Sequence, residues 1–542
     1  MLSMEKQLQE FIHTLKEKTE ALETHKNAAF FDASVSGDEK YYKKYEALEL
    51  EHSRLLAQKE PFQFLSETKD HESIRDPLLK RQAKILYLVH LPHQVPGQLT
   101  ERMIRLETLV DQKYTMFRTE VNGRRMTDNQ VEELLETSTD SREVQQAWEA
   151  SKEVGRLVET DVLQLVKLRN EAARLLGYDN YHQMSLMLSE QDPHEVSTLF
   201  DTLDDLTRKA FRQEKQAIDE FLARKFSISP EQLRPWHYQD RFFQEAPKIY
   251  QVDLDRYFEG KDLDALTREY FASIGMDIAP LLQRSDLYEK PGKNQHAFCI
   301  NIDRKDDIRV LCNIRPSQRW MNTMLHEFGH AVYELYYDAQ LPFFLREPAH
   351  TFTTEAVAMF FGRLAGRPAW MHAMGLMDAA EASRLAPGLK KMQTSAQLVF
   401  SRWALVMFRF EKALYENPDQ DLNTLWWELV SRYQGLTPPA NTDYPHWASK
   451  IHVATAPCYY HNYLLGELLA SQFHRSITNH ILKMPMESNP AFHGNAAIGE
   501  FFKERVFAPG ASLPWAEMIQ QATGEPLNPS WYAAQFVPDQ QA

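Results

Sequence analysis

Met324-Leu325-His326-Glu327-Phe328-Gly329-His330-Ala331-Val332 is the stretch from which the rest of the chain can be read. Around it Met321, Met324, Leu325, Phe328, Val332 and Leu335 recur at helical spacing, which predicts an amphipathic helix. On such a helix His326 and His330 stand one turn apart on the same face, so their imidazoles can converge on a single cation. Zinc accepts neutral imidazole nitrogens, and a catalytic zinc is usually held by three protein ligands with water in the open position. Glu327 lies beside the first histidine, where a carboxylate can take the proton from that water.

Two histidines do not complete such a site. Position 336, where one large class of zinc peptidases places a third histidine, is Tyr336. Further on, Thr353-Thr354-Glu355-Ala356-Val357-Ala358-Met359-Phe360 opens a second apolar helix, with threonines as capping options and Glu355 in or near the first turn. A glutamate at a helix start ordinarily complements the helix dipole. Here Glu355 follows His330 by 25 positions, room for the rest of one helix, a proline-containing loop and a return. His350 is the rival ligand, and Glu355 is the expected one.

The 542 residues, 43% of them hydrophobic, can bury a large core as one big domain or as two to three smaller ones. Acidic residues outnumber basic ones, 76 to 61, and the net charge of −15 argues against nucleic acid or an anionic membrane as partner. Cys299, Cys312 and Cys458 supply no disulfide framework and no C-x-x-C pair. The first residues carry no apolar signal region, and no run of about 18 apolar residues could span a bilayer. A soluble cytoplasmic protein is expected.

The first hundred residues are charged and helical in pattern, either a coiled-coil hairpin or a solvated helical layer over something else. Helical patterning continues from Leu99 to about Phe226, with N-cap candidates near Ser138 and a good helix over Val162–Leu176 ended by Gly177. Pro230, Pro235 and Pro247 mark a looser stretch. Strand signals occur just before the central helix, where His296 to Ile302 alternates, Asp306-Asp307 turns, and Ile308 to Ile314 follows. A hairpin there would be an edge able to pair with an extended peptide. Long helical segments reach about Gln434, Pro438-Pro439 breaks them, and Tyr459 to Met484 is helical again. A mostly α fold with one small sheet beside the central helix is expected.

His326-Glu-Phe-Gly-His330, followed by Arg346-Glu-Pro-Ala-His-Thr-Phe-Thr-Thr-Glu355-Ala356, resembles the peptidyl-dipeptidase A (angiotensin-converting enzyme) family. His296-Ala297 resembles that family's His-Ala on a substrate-binding edge strand, Lys450-Ile-His452 its Lys-x-His, and Tyr460-His-Asn-Tyr463 its Tyr-x-x-Tyr. Asn170-Glu-Ala-Ala-Arg174-Leu-Leu-Gly-Tyr178 is similar to an upstream helix of the same family. The likeness runs from roughly Thr137 to Gln472.

The resemblance implies an elongated two-lobed helical fold around a deep central cleft. It implies one metallopeptidase domain over residues 1–542, with residues 1–110 as a helical lid, 111–542 as the catalytic body and the zinc site within 296–463. One Zn²⁺ per chain would be held by His326, His330 and Glu355. Glu327 would be the base, and Tyr463, assisted by His452, the oxyanion donor. His296 and Ala297 would bind substrate backbone. Lys450 and Tyr460 would hold the C-terminal carboxylate of an oligopeptide, with Gln239 as the matching glutamine. Release of dipeptides is the reaction implied. Thimet-like oligoendopeptidases and Taq-type carboxypeptidases share parts of the pattern and are the alternatives.

Two departures carry expectations of their own. Met359 stands where the family has an aspartate one turn after the third ligand, so the support of the ligands must differ. Asn462 stands where the family has a chloride-linked arginine, so chloride is not expected to be required. The competing non-enzymatic reading is a helical scaffold around structural zinc, which usually has four ligands, often including cysteine.

Overall fold

The computed structural model describes residues 3–250, 252–485 and 488–537. Among them are 21 α-helices and two two-stranded antiparallel sheets, so the fold is mostly α. The chain divides into two compact units. Unit 1 comprises Met1–Gln94, Val252–Leu389 and Leu465–Trp531; unit 2 comprises Val95–Gln251, Lys390–Leu464 and Tyr532–Ala542.

Unit 1 opens with α1 (Met4–Ser36), α2 (Glu39–Leu56), α3 (Lys59–Thr68) and α4 (Pro77–His90). The Ser3 hydroxyl accepts from Lys6 N–H to start α1, and the Asp76 carboxylate caps α4 ahead of Pro77. Both readings of this region hold in part: α1 and α2 pack on each other as a helical hairpin, and α1 also covers other parts of unit 1. Leu8, Ile12 and Leu15 of α1 pack with Leu79, Ala83 and Leu86 of α4 and with Phe343 and Phe344. Phe31 packs on Ile302 and Leu311.

Unit 2 begins with α5 (Gly97–Met116), β1 (Thr119–Val121), β2 (Arg124–Met126), α6 (Asp128–Thr137), α7 (Ser141–Leu175), α8 (Tyr181–Leu188) and α9 (Pro193–Phe226). The β1–β2 pair corrects the expectation of one sheet. Its turn is Asn122-Gly123, both with positive φ (51° and 77°), a geometry that an Asn-Gly pair favours. Strands of three residues are too short for alternation to register. The helix expected over Val162–Leu176 begins far earlier, at Ser141, because the Asp140 carboxylate accepts from Arg142 and Glu143 N–H. On α7 Asn170 Nδ2 donates to the Tyr415 carbonyl at 2.8 Å, and its Oδ1 accepts from Tyr181 N–H at 2.9 Å. The family-like Asn170 is thus a staple between α7, α8 and the residues around Tyr415.

The chain then forms α10 (Leu263–Ser273), α11 (Ala279–Arg284), β3 (Phe298–Asn301), β4 (Ile308–Leu311), α12 (Gln318–Leu335), α13 (Thr351–Gly362) and α14 (Pro368–Ala373) in unit 1. After these come α15 (Ala379–Glu416), α16 (Leu422–Gln434), α17 (Ile451–Thr455), α18 (His461–Ser476), α19 (Ala496–Phe501), α20 (Trp515–Thr523) and α21 (Ser530–Phe536). β3 and β4 pair in the register Phe298↔Leu311 to Asn301↔Ile308, the hairpin expected from the alternation. His296 and Ala297 precede β3 rather than belonging to it. The Asn294 carboxamide oxygen accepts from His296 N–H at 3.0 Å, a side-chain turn that keeps this exposed residue out of the ladder. Among the described residues no helix is long and apolar enough to cross a membrane.

Candidate metal centre

α12 starts where the Ser317 hydroxyl accepts from Trp320 N–H and runs to Leu335. Leu335 at the end of the apolar stripe is half-buried, while Met321, Met324, Leu325, Phe328 and Val332 are fully buried, as the spacing predicts. Each such side chain contributes roughly 1.5–3 kcal/mol by leaving water. α13 is buried nearly all round, as core helices are. It starts one turn earlier than the threonines suggest. His350 is its N-cap, with Nδ1 accepting from Phe352 N–H, while the Thr353 hydroxyl accepts from His350 N–H. That bond engages the rival ligand His350 in capping.

What brings the two helices together is Gly329. A Cβ at this position would lie 2.8 Å from the Ala358 Cα, so any larger residue must push α13 away. Asn322 Nδ2 also donates to the Gly362 carbonyl at 2.8 Å, tying α12 to the end of α13. On the other side of α13, a Cβ on Gly466 would meet Met359 Sδ at 3.2 Å and Glu355 Cγ at 3.4 Å. Glu355 is thereby held against α12.

The ligand atoms of His326, His330 and Glu355 all lie within 4.8 Å of one another. Glu355 reaches His330 Nε2 at 3.3 Å and His326 Nε2 at 3.7 Å. The imidazole rings are 5.0 Å apart and nearly perpendicular, at 82°. His330 Nδ1 is 2.8 Å from the Thr354 hydroxyl, which orients the ring and leaves Nε2 for the cluster. Thr354 thus gives the site a support that sequence reasoning missed, although it stands next to Glu355. Two imidazole nitrogens and a carboxylate, converging with no cysteine, are a donor set that fits catalytic zinc.

The electrostatics agree. Burial pushes His326 down to about 4, into its neutral, ligating form. Burial opposes charge on His330 and Glu355 too, but their mutual hydrogen bond holds His330 above its ordinary pKa and Glu355 below. Burial pushes the Glu327 carboxyl up to about 7 against the pull of His330, the range suited to a group that takes and returns a proton near neutrality. Asn301, at the end of β3, donates to Glu334 of α12 at 3.1 Å and so fixes the hairpin to this helix.

Unit 2 holds the anticipated Gln239, Lys450, His452, Tyr460 and Tyr463, whereas His296 and Ala297 belong to unit 1. Lys450, only 7% exposed, lies 5.1 Å from the Phe242 ring, 5.3 Å from Trp403 and 5.5 Å from Tyr460. Burial pushes its amine down to about 8. The glutamine beside it is Gln244, which accepts from Lys450 Nζ at 2.6 Å, and not Gln239. Gln239 sits at positive φ with its carboxamide oxygen on Lys248 N–H, which turns it to a different task. The Asp240 carboxylate accepts from the backbone N–H groups of Phe242, Gln244 and Glu245 and shapes the irregular loop that presents Gln244. The His452 ring is 5.2 Å from Tyr460, and Tyr463 is 5.4 Å from Tyr460. Tyr460 is therefore the tyrosine at Lys450, while Tyr459 is 36% exposed. Asn462 is buried, and its carboxamide oxygen accepts from Gln191 at 2.8 Å.

A mostly α chain whose paired histidines and glutamate form a half-buried donor set defines a metallopeptidase-like protein. The comparisons agree. The family model of peptidase M2, described as angiotensin-converting enzyme, matches residues 2–212 and 234–530, and the chain belongs to that family. It is similar to the angiotensin-converting enzyme of Theromyzon tessulatum, 21% identical over 434 residues, covering 73% of this chain and 68% of the relative. The enzyme of the same name from Haematobia irritans exigua is 23% identical over 439 residues, covering 73% and 70%. The Mesocricetus auratus enzyme is 24% identical over 272 residues, covering 48% of this chain and only 20% of the relative. The match thus spans about a fifth of that mammalian protein.

Proposed function

We propose that the protein is a zinc-dependent peptidase that releases dipeptides from oligopeptides with free C-termini. The observation that carries this is the convergence of His326, His330 and Glu355 beside buried Glu327, in a chain of the peptidase M2 family. His326, His330 and Glu355 would hold one zinc ion per chain, whose chemistry when bound is to polarise a carbonyl and lower the pKa of water. Glu327 takes the proton of the attacking water and delivers one to the leaving amine. Tyr463, assisted by His452, donates to the developing oxyanion. His296 and Ala297 bind substrate backbone. Lys450, Gln244 and Tyr460 hold the terminal carboxylate, a charge-assisted contact that selects free C-termini.

The test is mass spectrometry of products from one peptide with a free C-terminus and the same peptide amidated. Dipeptides from the first and slow cleavage of the second are expected. Internal cuts indifferent to amidation would turn the reading to an oligoendopeptidase, and single residues released would turn it to a carboxypeptidase. Activity should also need no chloride, because Asn462 offers an amide already bonded to Gln191 where the family has a cation. A several-fold specific rise in sodium chloride over sodium acetate at matched ionic strength would refute this.

A further inference from the structure

Unit 1 contains a buried cation that no acid answers. Arg367, between α13 and α14, is 3% exposed, and among the described residues no carboxylate pairs with it. Its Nε and Nη1 are buried without an acceptor in the protein. The neighbouring arginine, Arg363, is matched by Glu467, so the excess positive charge belongs to Arg367. Phe492 covers the guanidinium at 5.4 Å, a cation–π contact that leaves those N–H groups unanswered.

The same place collects other orphaned donors. Trp370, one turn on from Arg367, has its indole nitrogen buried without a partner, and Tyr270 its hydroxyl. Their rings are 5.9 Å apart, both side chains fully buried. His474 of α18, 2% exposed, has Nδ1 buried and unpartnered, and its ring is 5.2 Å from the Phe492 that covers Arg367. Burial holds Arg367 down to about 10 and His474 well below its usual range, so the imidazole is neutral and can donate through Nδ1. Four residues from three parts of unit 1 thus bring buried N–H and O–H groups that have no hydrogen-bond partner in the protein.

An orphaned buried donor is costly, and an unpaired buried charge costs more. Water could accept from some of these groups, but it would leave the charge uncompensated. A small anion answers both debts at once. We propose that Arg367 holds a small monovalent anion of halide size, with Tyr270, Trp370 and His474 as further donors. The site is a different place from Asn462, and its effect falls on stability. It fastens the segment following the Glu355 helix to α18.

The test uses the full chain, dialysed exhaustively into sodium gluconate and then titrated with sodium chloride at constant ionic strength while thermal unfolding is followed. The wild type should gain Tm along a saturating curve. Arg367→Met should show no chloride response, and Tyr270→Phe should raise the half-saturating chloride on the order of tenfold, as loss of one charge-assisted bond requires. Should Arg367→Met fail to fold, Tyr270→Phe and Trp370→Phe keep the titration decisive. Anomalous scattering from crystals grown in sodium bromide should place a peak at Arg367. Equal Tm in chloride and gluconate, the same response in Arg367→Met, or water alone at Arg367 would overturn the proposal.

Discussion

The α12–α13 constellation and the Lys450 group are built in opposite ways. The first uses two regular helices, so ligand spacing follows from helical rise and one glycine. His326 and His330 share a face because they are four apart, and Gly329 lets Ala358 approach closely enough for Glu355 to reach both. The second rests on irregular backbone. Gln244 reaches Lys450 only because Asp240 gathers three N–H groups into a bent loop. Regular backbone turns sequence spacing into geometry, and irregular backbone hides it. The electrostatics differ as well. The first group offsets burial by mutual hydrogen bonding, whereas Lys450 is left a weakened base over three aromatic rings.

The largest expected effect lies in the first region. Glu327→Gln should keep zinc and lower turnover by about 10²–10⁴, because it removes the proton carrier and leaves every ligand. A variant with a tenth of wild-type turnover and full metal would sink the assignment. Next comes the second region. Lys450→Ala should lose about 2–3 kcal/mol on free C-terminal peptides, roughly 30- to 150-fold in kcat/KM, and almost nothing on amidated ones. Equal losses on both would mean that Lys450 supports the fold rather than the carboxylate.

The smallest effect separates the regions by pH. Lys450 is held near 8, so it is charged below that value and neutral above. For free C-terminal peptides kcat/KM should therefore fall as pH rises through about 8, while amidated peptides should not follow. The same alkaline limb on both substrates, or on Lys450→Ala, would remove the lysine from the explanation.

The same contrast explains what could be read in advance. The central helix, the hairpin before it and Glu355 over His350 are legible in the sequence, because periodicity and spacing are local properties. The sheet at Asn122-Gly123 escaped because three residues hold too little alternation, although its Asn-Gly turn was a usable signal. Gln239 is the glutamine that the resemblance suggests, but position along the chain does not tell which way a bent loop faces, and it is Gln244 that meets Lys450. His296 was expected on a strand, and a side-chain bond from Asn294 holds it in the bend before one. Thr354, Gly329 against Ala358 and the unpaired Arg367 are facts of packing, visible only once the helices are side by side.

The most direct test of the metal centre is metal content by mass spectrometry after dialysis against a weak chelator, comparing wild type, Glu355→Ala and His350→Ala. Wild type and His350→Ala should retain close to one zinc per chain, since His350 caps α13, and Glu355→Ala should lose it. Stoichiometric zinc in Glu355→Ala together with loss in His350→Ala would contradict the assignment.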